Sequence, residues 1–267
     1  MNTTVGVIGA GRMGQPIIGH LVRKGFATRV HDIDAAKRAT VEERGAEWAA
    51  DLAALAQASD VMLVCVGYDE ELRALFPQLA PAARPGAIVA VLNTVHPKTM
   101  QDLASAYAPR LAVVDATMCR GGRAADEGTL LCFVGGEKET VARLRPVLGA
   151  FASDIVATGA VGSAQVAKAA NNLILWACLV ADHEALALAG SYGLDVEQLR
   201  KALGISSAAN DALAKWGTQT MAWAEDDMAI VADMAHERGL RLPQAVVTRE
   251  ICRVLKPRRY HLDLYGR

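Results

Sequence analysis

A glycine-rich segment near the N-terminus constrains the fold of this 267-residue chain more than any other feature. The segment lies between the apolar, β-rich run Thr4–Ile8 and a helical pattern that ends near Lys24. A second β-rich run, residues 27–30, is followed by Asp32. This order of strand, glycine turn, helix, strand and acid is the context of a dinucleotide-binding fingerprint. The fingerprint consists of Gly9, Ala10, Gly11, Arg12, Met13 and Gly14.

Each part of the fingerprint has a physical reason. Gly9 permits the tight turn, Gly11 lets a pyrophosphate approach the backbone, and Gly14 lets the helix pack on the strand. Free N–H groups at the helix start attract the phosphates. Asp32 is expected to accept hydrogen bonds from the adenosine ribose, and its charge would repel a 2′-phosphate. We therefore predict NAD as the cofactor in preference to NADP. The alternative interpretation of the whole segment is a glycine-rich turn between ordinary elements, without a ligand.

Strand-like and helical stretches alternate through the first half of the chain. Such alternation predicts a Rossmann-type, doubly wound parallel sheet with helices on both faces. The further strand-like runs are residues 61–66, 88–92, 111–114, 133–136 and 154–158, and helical stretches lie near residues 70–76 and 98–108.

The ends of two predicted strands supply further candidate cofactor contacts. Ligands of open α/β sheets bind at the carboxyl ends of the strands. Asn93 and Thr94 could contact cofactor ribose, or they could form a polar turn that caps the following helix. Cys65 and Val66 end an earlier strand-like run, 61–66, and Gly67 follows it, so these three residues are also candidate cofactor contacts.

A glycine- and arginine-containing stretch, residues 115–130, follows the strand-like run 111–114 and is expected to be a loop. Adjacent glycines expose backbone N–H groups that can hold an anion, and an arginine fork suits a carboxylate. A solvated turn is the alternative. The candidate substrate-binding residues in this stretch are Cys119, Arg120, Gly121 and Gly122.

A long run of good helix formers, residues 159–190, is predicted to be a single helix that joins two bodies of the protein. Lys168 and Asn172 are four residues apart, so their side chains leave the same face and form a candidate catalytic pair. A surface lysine beside a polar capping pair is the alternative. The apolar run 173–181 predicts burial by protein on most sides, and Lys168 and Asp182 lie too close to it for a membrane span.

The remaining sequence lacks strand-like alternation and reads as a smaller all-α domain. We predict a dinucleotide-binding domain over residues 1–160 and an all-α substrate and dimerisation domain over residues 161–267. The apolar faces of these helices exceed what so small a bundle needs.

The composition excludes several classes of protein. The net charge of −1 gives no electrostatic reason to bind nucleic acid or an acidic membrane surface. Five scattered cysteines without C-x-x-C spacing favour free thiols in a reducing cytoplasm, and they predict no zinc site. No signal peptide is expected, because the N-terminus leads directly into a strand-like run.

Four segments resemble the β-hydroxyacid dehydrogenase family, which includes 3-hydroxyisobutyrate dehydrogenases and tartronate semialdehyde reductases. Residues 8–16 resemble its G-L-G-x-M-G-x-P fingerprint, and residues 93–97 resemble its S-T-x-x-P cofactor loop. Residues 115–130 are in register with its D-A-P-V-S-G-G…G-T-L substrate loop. Residues 162–172 are similar to its G-x-G-x-x-x-K-x-x-N-N helix. The resemblance covers about residues 4 to 243.

The resemblance implies hydride transfer between NAD and a hydroxyl-bearing carbon of a small, acidic substrate. Lys168 matches the family's catalytic lysine, which takes and returns the hydroxyl proton. Asn172 would hold the substrate hydroxyl or orient the amine. Family members dimerise through the helical domain, so a homodimer or homotetramer is expected.

Three departures from the family pattern bear on specificity. The family usually has serine at the position of Cys119 and glycine at that of Arg120. Its second lysine, in a K-D-L motif, is replaced by Asp226, which we also include among the candidate substrate-binding residues. One hypothesis is that Arg120 takes over binding of the substrate carboxylate. Another is that Asp226 receives a cationic group, such as an amine on the substrate.

Two other functions stay open. Imine reductases and reductive aminases are similar in fold, but typically have another residue in place of the catalytic lysine and often prefer NADP. Lys168 and Asp32 argue against an imine reductase or reductive aminase, while Asp226 is compatible with one. A non-catalytic dinucleotide-binding protein is the third hypothesis, and it would not need Lys168 and Asn172 together.

Overall fold

The computed structural model describes residues 3–258 and 260–264. The chain divides into two compact units, Met1–Lys168 and Ala169–Arg267. The division falls within one continuous helix, Ser163–Ser191. The predicted division between residues 160 and 161 stays a prediction.

The first unit contains all the strands of the described chain and the helices between them. Its strands are β1 (Thr4–Ile8), β2 (Ala27–His31), β3 (Glu47–Trp48), β4 (Val61–Val64), β5 (Ala87–Val91), β6 (Leu111–Cys119), β7 (Leu130–Gly135) and β8 (Ala152–Gly159). Its helices are α1 (Gly14–Arg23), α2 (Arg38–Glu43), α3 (Leu52–Ala58), α4 (Asp69–Leu79), α5 (Pro97–Tyr107), α6 (Gly121–Glu127) and α7 (Lys138–Leu148).

These strands form one eight-stranded sheet in the order β3-β2-β1-β4-β5-β6-β7-β8. The chain moves outward from β1 and returns to β4, so the carboxyl ends of β1 and β4 mark the switch point where ligands of such sheets bind. The predicted Rossmann architecture is confirmed. The sheet is parallel, as predicted, except at one place, where β7 runs antiparallel to β6. A parallel crossover needs about a dozen residues or more, and the segment 120–129 is shorter.

Apolar side chains cover both faces of the sheet. On one face Leu63 packs in a cluster with residues of α1 and α7, such as Ile17 and Leu144. On the other face the neighbouring Met62 packs with residues of α3, α4 and α5, including Phe76. Successive strand residues therefore enter opposite cores. This explains why the central strands read as continuous apolar runs.

The second unit is entirely helical over the residues that the structure describes, as the sequence predicts. It contains most of α8 (Ser163–Ser191), together with α9 (Val196–Leu203), α10 (Asp211–Ala214), α11 (Ala224–Glu237) and α12 (Pro243–Leu255). Its core contains Trp176, Leu179, Met228 and Cys252. The indole N–H of Trp176 donates to the Asp227 carboxylate at 3.0 Å, which fixes α8 to α11.

One side of α8 is less buried than the sequence predicts. Trp176 and Leu179 lie in the core, but Ile174 and Leu188 are 65% and 63% exposed. By length and composition alone α8 could cross a membrane; its most apolar window has a mean hydropathy of 1.5 and is 33% buried. The core-facing residues are typical of a helix in a folded bundle, and the small bundle leaves one apolar side of α8 uncovered.

Candidate active site

The fingerprint loop after β1 has room only for glycine at two positions. Gly9 has a φ of +98°, and a Cβ there would lie 2.3 Å from the carbonyl oxygen of Cys65. A Cβ on Gly14 would lie 2.0 Å from the carbonyl oxygen of Gly9. A Cβ on Gly11 would meet nothing within 4 Å, so the backbone there is open to a ligand. The geometry fits the three roles that the sequence assigns to these glycines.

Asp32 lies at the end of β2 and is only 8% exposed. Its Oδ2 accepts a hydrogen bond from the Ala10 amide at 2.6 Å, and its Oδ1 accepts one from the Asp34 amide at 2.9 Å. The Lys37 ammonium lies 3.1 and 3.0 Å from the two oxygens. Burial alone would raise the pKa of Asp32, but these donors outweigh it and hold the pKa below its ordinary value.

Lys37 changes the interpretation of Asp32. A carboxylate has about four acceptor positions, and two amides and one bridging ammonium occupy them here. The charge of Asp32 is also paired with that of Lys37. Lys37 is not among the predicted site residues, because a lysine five positions after the acid carries no motif. Its approach to Asp32 depends on the short turn that follows β2.

Asn93 joins the loops that follow β4 and β5. Its side-chain amide donates to the carbonyl oxygens of Val66 and Gly67, at 2.8 and 2.7 Å. Helix α5 is capped instead by His96, whose ring accepts from the Lys98 amide, so Asn93 is not the cap. The Oδ1 atom of Asn93 is buried and has no hydrogen-bond partner in the described chain. An orphaned buried acceptor at this edge of the sheet fits a hydroxyl- or amide-bearing ligand such as a dinucleotide.

Cys65 lies beside the same loops. Cys65 is half-buried, and desolvation of its thiol raises its pKa to about 12. A thiol with a raised pKa is a weak nucleophile at neutral pH. Cys65 contributes its backbone to the turn through the contact with Gly9 described above.

The segment after residue 114 is not the loop that the sequence predicts. Strand β6 continues to Cys119, and α6 begins at Gly121. The extension pairs with β7, with Cys119 opposite Leu131. Cys119 is buried. No strong strand signal is present there, because Asp115 and Thr117 are polar residues on an interior strand face.

Arg120 connects β6 to α6 in a left-handed conformation with a φ of +81°. Its guanidinium Nη1 lies 2.7 Å from the Asp154 carboxylate, 2.9 Å from the Ser153 hydroxyl and 3.0 Å from the Thr129 carbonyl oxygen. The Arg120 guanidinium holds the pKa of Asp154 below its ordinary value. Because the arginine is already paired, the geometry gives no support to the hypothesis that it binds the substrate carboxylate.

Asp115 holds the start of α8, a role that the sequence analysis missed. The side chain is fully buried. Its Oδ1 accepts from the Gly162 amide at 2.8 Å and its Oδ2 accepts from the Gln165 amide at 3.0 Å. Burial raises the pKa of Asp115, and the backbone hydrogen bonds partly offset the rise. A carboxylate that accepts two charge-assisted hydrogen bonds from the amides of a helix N-terminus is a strong anchor for that helix.

Two further side chains complete this anchor. The Thr117 hydroxyl donates to the carbonyl oxygen of Ala164 at 3.1 Å. Gln165 accepts from the Val95 amide at 3.0 Å and donates to the Asn93 carbonyl oxygen at 2.9 Å. The start of α8 is therefore bonded to the loop after β5 and to the middle of β6.

Lys168 lies on the next turn of α8 after this anchor. It is half-buried and makes no hydrogen bond or ion pair with residues 3–258 or 260–264. A half-buried ammonium without an acidic neighbour is available to a ligand.

In the second unit, Asn172 is 1% exposed. Its Oδ1 accepts from the Asn171 side chain at 3.1 Å. Its Nδ2 is buried and has no partner among the residues that the structure describes. An unsatisfied buried donor of this kind is uncommon and is typical of a functional position. Asp226, in contrast, is exposed in the first turn of α11.

Within the described ranges, no group of three or more histidine, cysteine or acidic side chains is placed to hold a metal ion. The polar groups described above lie on α8 and in the loops after β1, β4 and β5, and they are the candidates for binding and catalysis. Such a set suits proton transfer and dinucleotide binding.

Two family models match the chain and together span nearly all of it. The first, described as the NAD binding domain of 6-phosphogluconate dehydrogenase, matches residues 4–162. The second, described as the NAD-binding region of NADP-dependent 3-hydroxyisobutyrate dehydrogenase, matches residues 162–263.

Individual proteins agree with these matches. The 3-hydroxyisobutyrate dehydrogenase of Pseudomonas aeruginosa is 30% identical over 79% of this chain and 72% of its own length. A structure of Mycobacterium tuberculosis 3-hydroxyisobutyrate dehydrogenase with L-serine has a TM-score of 0.88 at 23% identity, covering 96% of this chain and 94% of that one. An imine reductase from Myxococcus stipitatus, in complex with NAD⁺, has a TM-score of 0.71 at 19% identity, covering 97% and 95%. At these identities the two structures show a shared fold.

Proposed function

Because the chain belongs to the β-hydroxyacid dehydrogenase family, we propose that it oxidises a small β-hydroxy acid, or reduces the matching aldehyde or keto acid, with Lys168 as general acid and base. It is an NAD(P)-dependent dehydrogenase that acts on CH–OH donors. When bound, NAD(P) would supply the hydride acceptor or donor. The residues of the chain bind the dinucleotide, hold the substrate and move one proton.

The single observation that carries this proposal is the placement of Lys168. The anchor formed by Asp115 and Gln165 fixes the first turn of α8. Lys168 follows on the next turn, half-buried and without an acidic partner in the described chain. In the oxidation direction the neutral amine would take the hydroxyl proton as hydride leaves, and in the reverse direction the ammonium would return it.

Asn172 supports the same reaction. Its side chain leaves α8 on the same face as that of Lys168, one turn further on. Its buried Nδ2 has a hydrogen to donate and no partner in the described ranges. We assign the Asn172 Nδ2 group as a hydrogen-bond donor to the substrate oxygen that exchanges the proton with Lys168. This oxygen would satisfy the unpaired donor.

Residues of the first unit fit a dinucleotide. The open backbone at Gly11 and the start of α1 offer N–H groups to the pyrophosphate. The orphaned Oδ1 of Asn93 offers an acceptor to a ribose hydroxyl or to the nicotinamide amide. Val66 and Gly67 are fixed by the same Asn93 side chain, so the loop after β4 is held in place for the ligand.

The test is formation of NADH or NADPH by the purified protein across a panel of hydroxy acids and amino-hydroxy acids. The substitution Lys168→Met should lower kcat by about a hundredfold or more, the range for loss of a general acid–base. Lys138→Met is the matched control, since Lys138 is an exposed lysine at the start of α7. Equal activity of the two variants would remove Lys168 from the mechanism.

The same panel separates the alternatives. Turnover confined to amine-bearing substrates would favour an imine reductase-type reaction or a substrate ammonium received by the exposed Asp226. Dinucleotide binding without turnover of any substrate would favour a non-catalytic protein. Turnover of β-hydroxy acids that disappears in Lys168→Met supports the proposal.

We also propose that the chain forms a homodimer or homotetramer. Ile174 and Leu188 on α8 are largely exposed, and so are Val247 and Val254 on α12. Exposed apolar side chains on two helices of one small unit favour a protein partner. Light scattering after size exclusion would give the mass; a monomer at micromolar concentration would contradict this proposal.

A further inference from the structure

A cavity of about 580 Å³ lies beside the fingerprint loop, next to Ala10 and Gly11. Its lining is strongly cationic. Four basic side chains and one acid contribute to it: Arg12, Arg23, Lys37, Arg44 and Asp126. A cationic cavity of this size next to a phosphate-binding loop fits an additional anion.

Two of the arginines converge on one point. The Nη1 atoms of Arg23 and Arg44 both lie 3.2 Å from the position that a Cβ would occupy on Gly19. The two nitrogens are therefore no further apart than twice that distance. Like charges at this separation repel each other unless an anion lies near both.

Neither guanidinium has an acidic partner among residues 3–258 and 260–264. Arg23 is oriented by the Nδ1 atom of His20, at 2.8 Å. The Nε atom of Arg44 donates to Gln15 at 2.9 Å. Neither arginine therefore forms an ion pair in the described chain, although the charge of Asp126 acts on Arg44 from a longer distance. Their remaining N–H groups are available to a ligand.

The other two cations already bind carboxylates, and the geometry of one pair is informative. Lys37 is paired with Asp32. Arg12 binds Asp126 through two parallel bonds of 2.8 and 2.6 Å. Arginine uses this bidentate geometry for carboxylate and for phosphate alike. The Asp126 carboxylate therefore occupies an arginine fork that a phosphate could also occupy.

We propose that this cavity binds a phosphate monoester, with Arg23 and Arg44 as its principal donors and with Arg12 exchanging Asp126 for the phosphate. The proposal rests on the proposed function, because the cavity adjoins the loop that binds the dinucleotide. The phosphate has two possible sources. It is either the 2′-phosphate of NADP(H) or a separate phosphate that binds beside NAD(H).

The pairing of Lys37 with Asp32 is compatible with the first source. The acid at the end of β2 would repel a 2′-phosphate if its charge were free. In this chain Lys37 compensates that charge, and the neighbouring cavity adds Arg23 and Arg44. The site would then accept the phosphorylated dinucleotide as well as NAD(H).

The experiment measures binding of NADPH, of NADH and of inorganic phosphate by calorimetry, using the full chain and the variants Arg44→Gln and Arg23→Gln. If the phosphate is the 2′-phosphate, each variant weakens NADPH binding about tenfold, the loss of one charge-assisted bond, and leaves NADH binding unchanged. If the phosphate is separate, inorganic phosphate binds the NADH-loaded protein and each variant weakens that binding by a similar factor.

Two further variants test the assignment. Arg38→Gln is the matched control, since Arg38 is an exposed arginine of α2 that pairs with Glu42 and does not line the cavity. Asp126→Asn removes the internal competitor and should tighten binding of the phosphorylated ligand.

The outcomes distinguish this proposal from the proposed function. Binding of NADH with no measurable binding of NADPH or phosphate overturns the phosphate site and leaves the dehydrogenase assignment intact. Equal effects of Arg38→Gln and Arg44→Gln would also overturn it. Failure to bind either dinucleotide would instead overturn the proposed function.

Discussion

Removal of the Asp115 carboxylate should destabilise the fold and disturb the reaction together. Asp115 accepts two backbone hydrogen bonds at the start of α8, from Gly162 and Gln165. A hydrogen bond to a charged group contributes roughly 1.5–3 kcal/mol. In Asp115→Asn the side-chain oxygen keeps one amide donor and the NH₂ group faces the other. We therefore expect the free energy of unfolding to fall by about 2 kcal/mol, and by about 3 kcal/mol in Asp115→Ala.

Urea unfolding followed by circular dichroism measures these changes. Thr117→Val is the matched control on the same strand face, because it removes one neutral hydrogen bond to α8 and keeps the side-chain shape. Thr117→Val should lower the free energy of unfolding by about 1 kcal/mol. The kcat of Asp115→Asn should also fall, because the anchor fixes the turn that precedes Lys168. A loss of stability in Asp115→Asn no greater than in Thr117→Val would refute the argument that the carboxylate anchors the helix.

Three further predictions concern positions where the backbone favours or requires glycine. The free energy of unfolding, measured by thermal denaturation, should be about 1 kcal/mol higher for Arg120→Gly than for Arg120→Ala, because only glycine adopts a φ of +81° without strain. A rise in KM in both variants would instead support binding of the substrate carboxylate by Arg120. Gly14→Ala places a methyl group 2.0 Å from the Gly9 carbonyl oxygen and should prevent native folding. Gly11→Ala should keep the unfolding temperature and weaken NADH binding measured by fluorescence, since the new methyl group lies in open space beside the loop; native affinity in this variant would contradict the role of Gly11.

The sequence predicts the dinucleotide-binding half of the chain well, and the reason is local. The fingerprint fixes a strand, a turn and a helix within a few residues, and Gly9 and Gly14 leave no alternative backbone path. The central strands are buried on both faces, so their apolar runs are unambiguous. The long helix follows from an uninterrupted run of good helix formers.

Residues whose partners are distant in sequence could not be predicted in the same way. Asp115 and Thr117 lie on an extended strand because α8 satisfies their polar groups from some fifty positions away. Arg120 resembles a free cation in the sequence, and only the approach of β8 gives it Asp154 as a partner. The antiparallel pairing of β6 with β7 depends on the length of α6, which carries no strong sequence signal.

The exposed side of α8 illustrates another limit. Residues around Ile174 are apolar nearly all round the helix, and the sequence therefore predicts burial on most sides. A single chain buries only the side that contains Trp176 and Leu179. A hydrophobic pattern favours burial of a surface, but it does not say which residues would bury it.

The position of the unit boundary inside α8 determines how this protein can be dissected or recombined. A fragment that ends at residue 160 would contain Asp115 and Thr117 but lack Gly162, Ala164 and Gln165, to which they are bonded. It would leave a carboxylate and a hydroxyl without these hydrogen-bond partners. A fragment that extends through Lys168 keeps every one of these bonds. In gene fusions that exchange the helical unit, the first turns of α8 therefore have to be inherited with the sheet, and Lys168 is inherited with them.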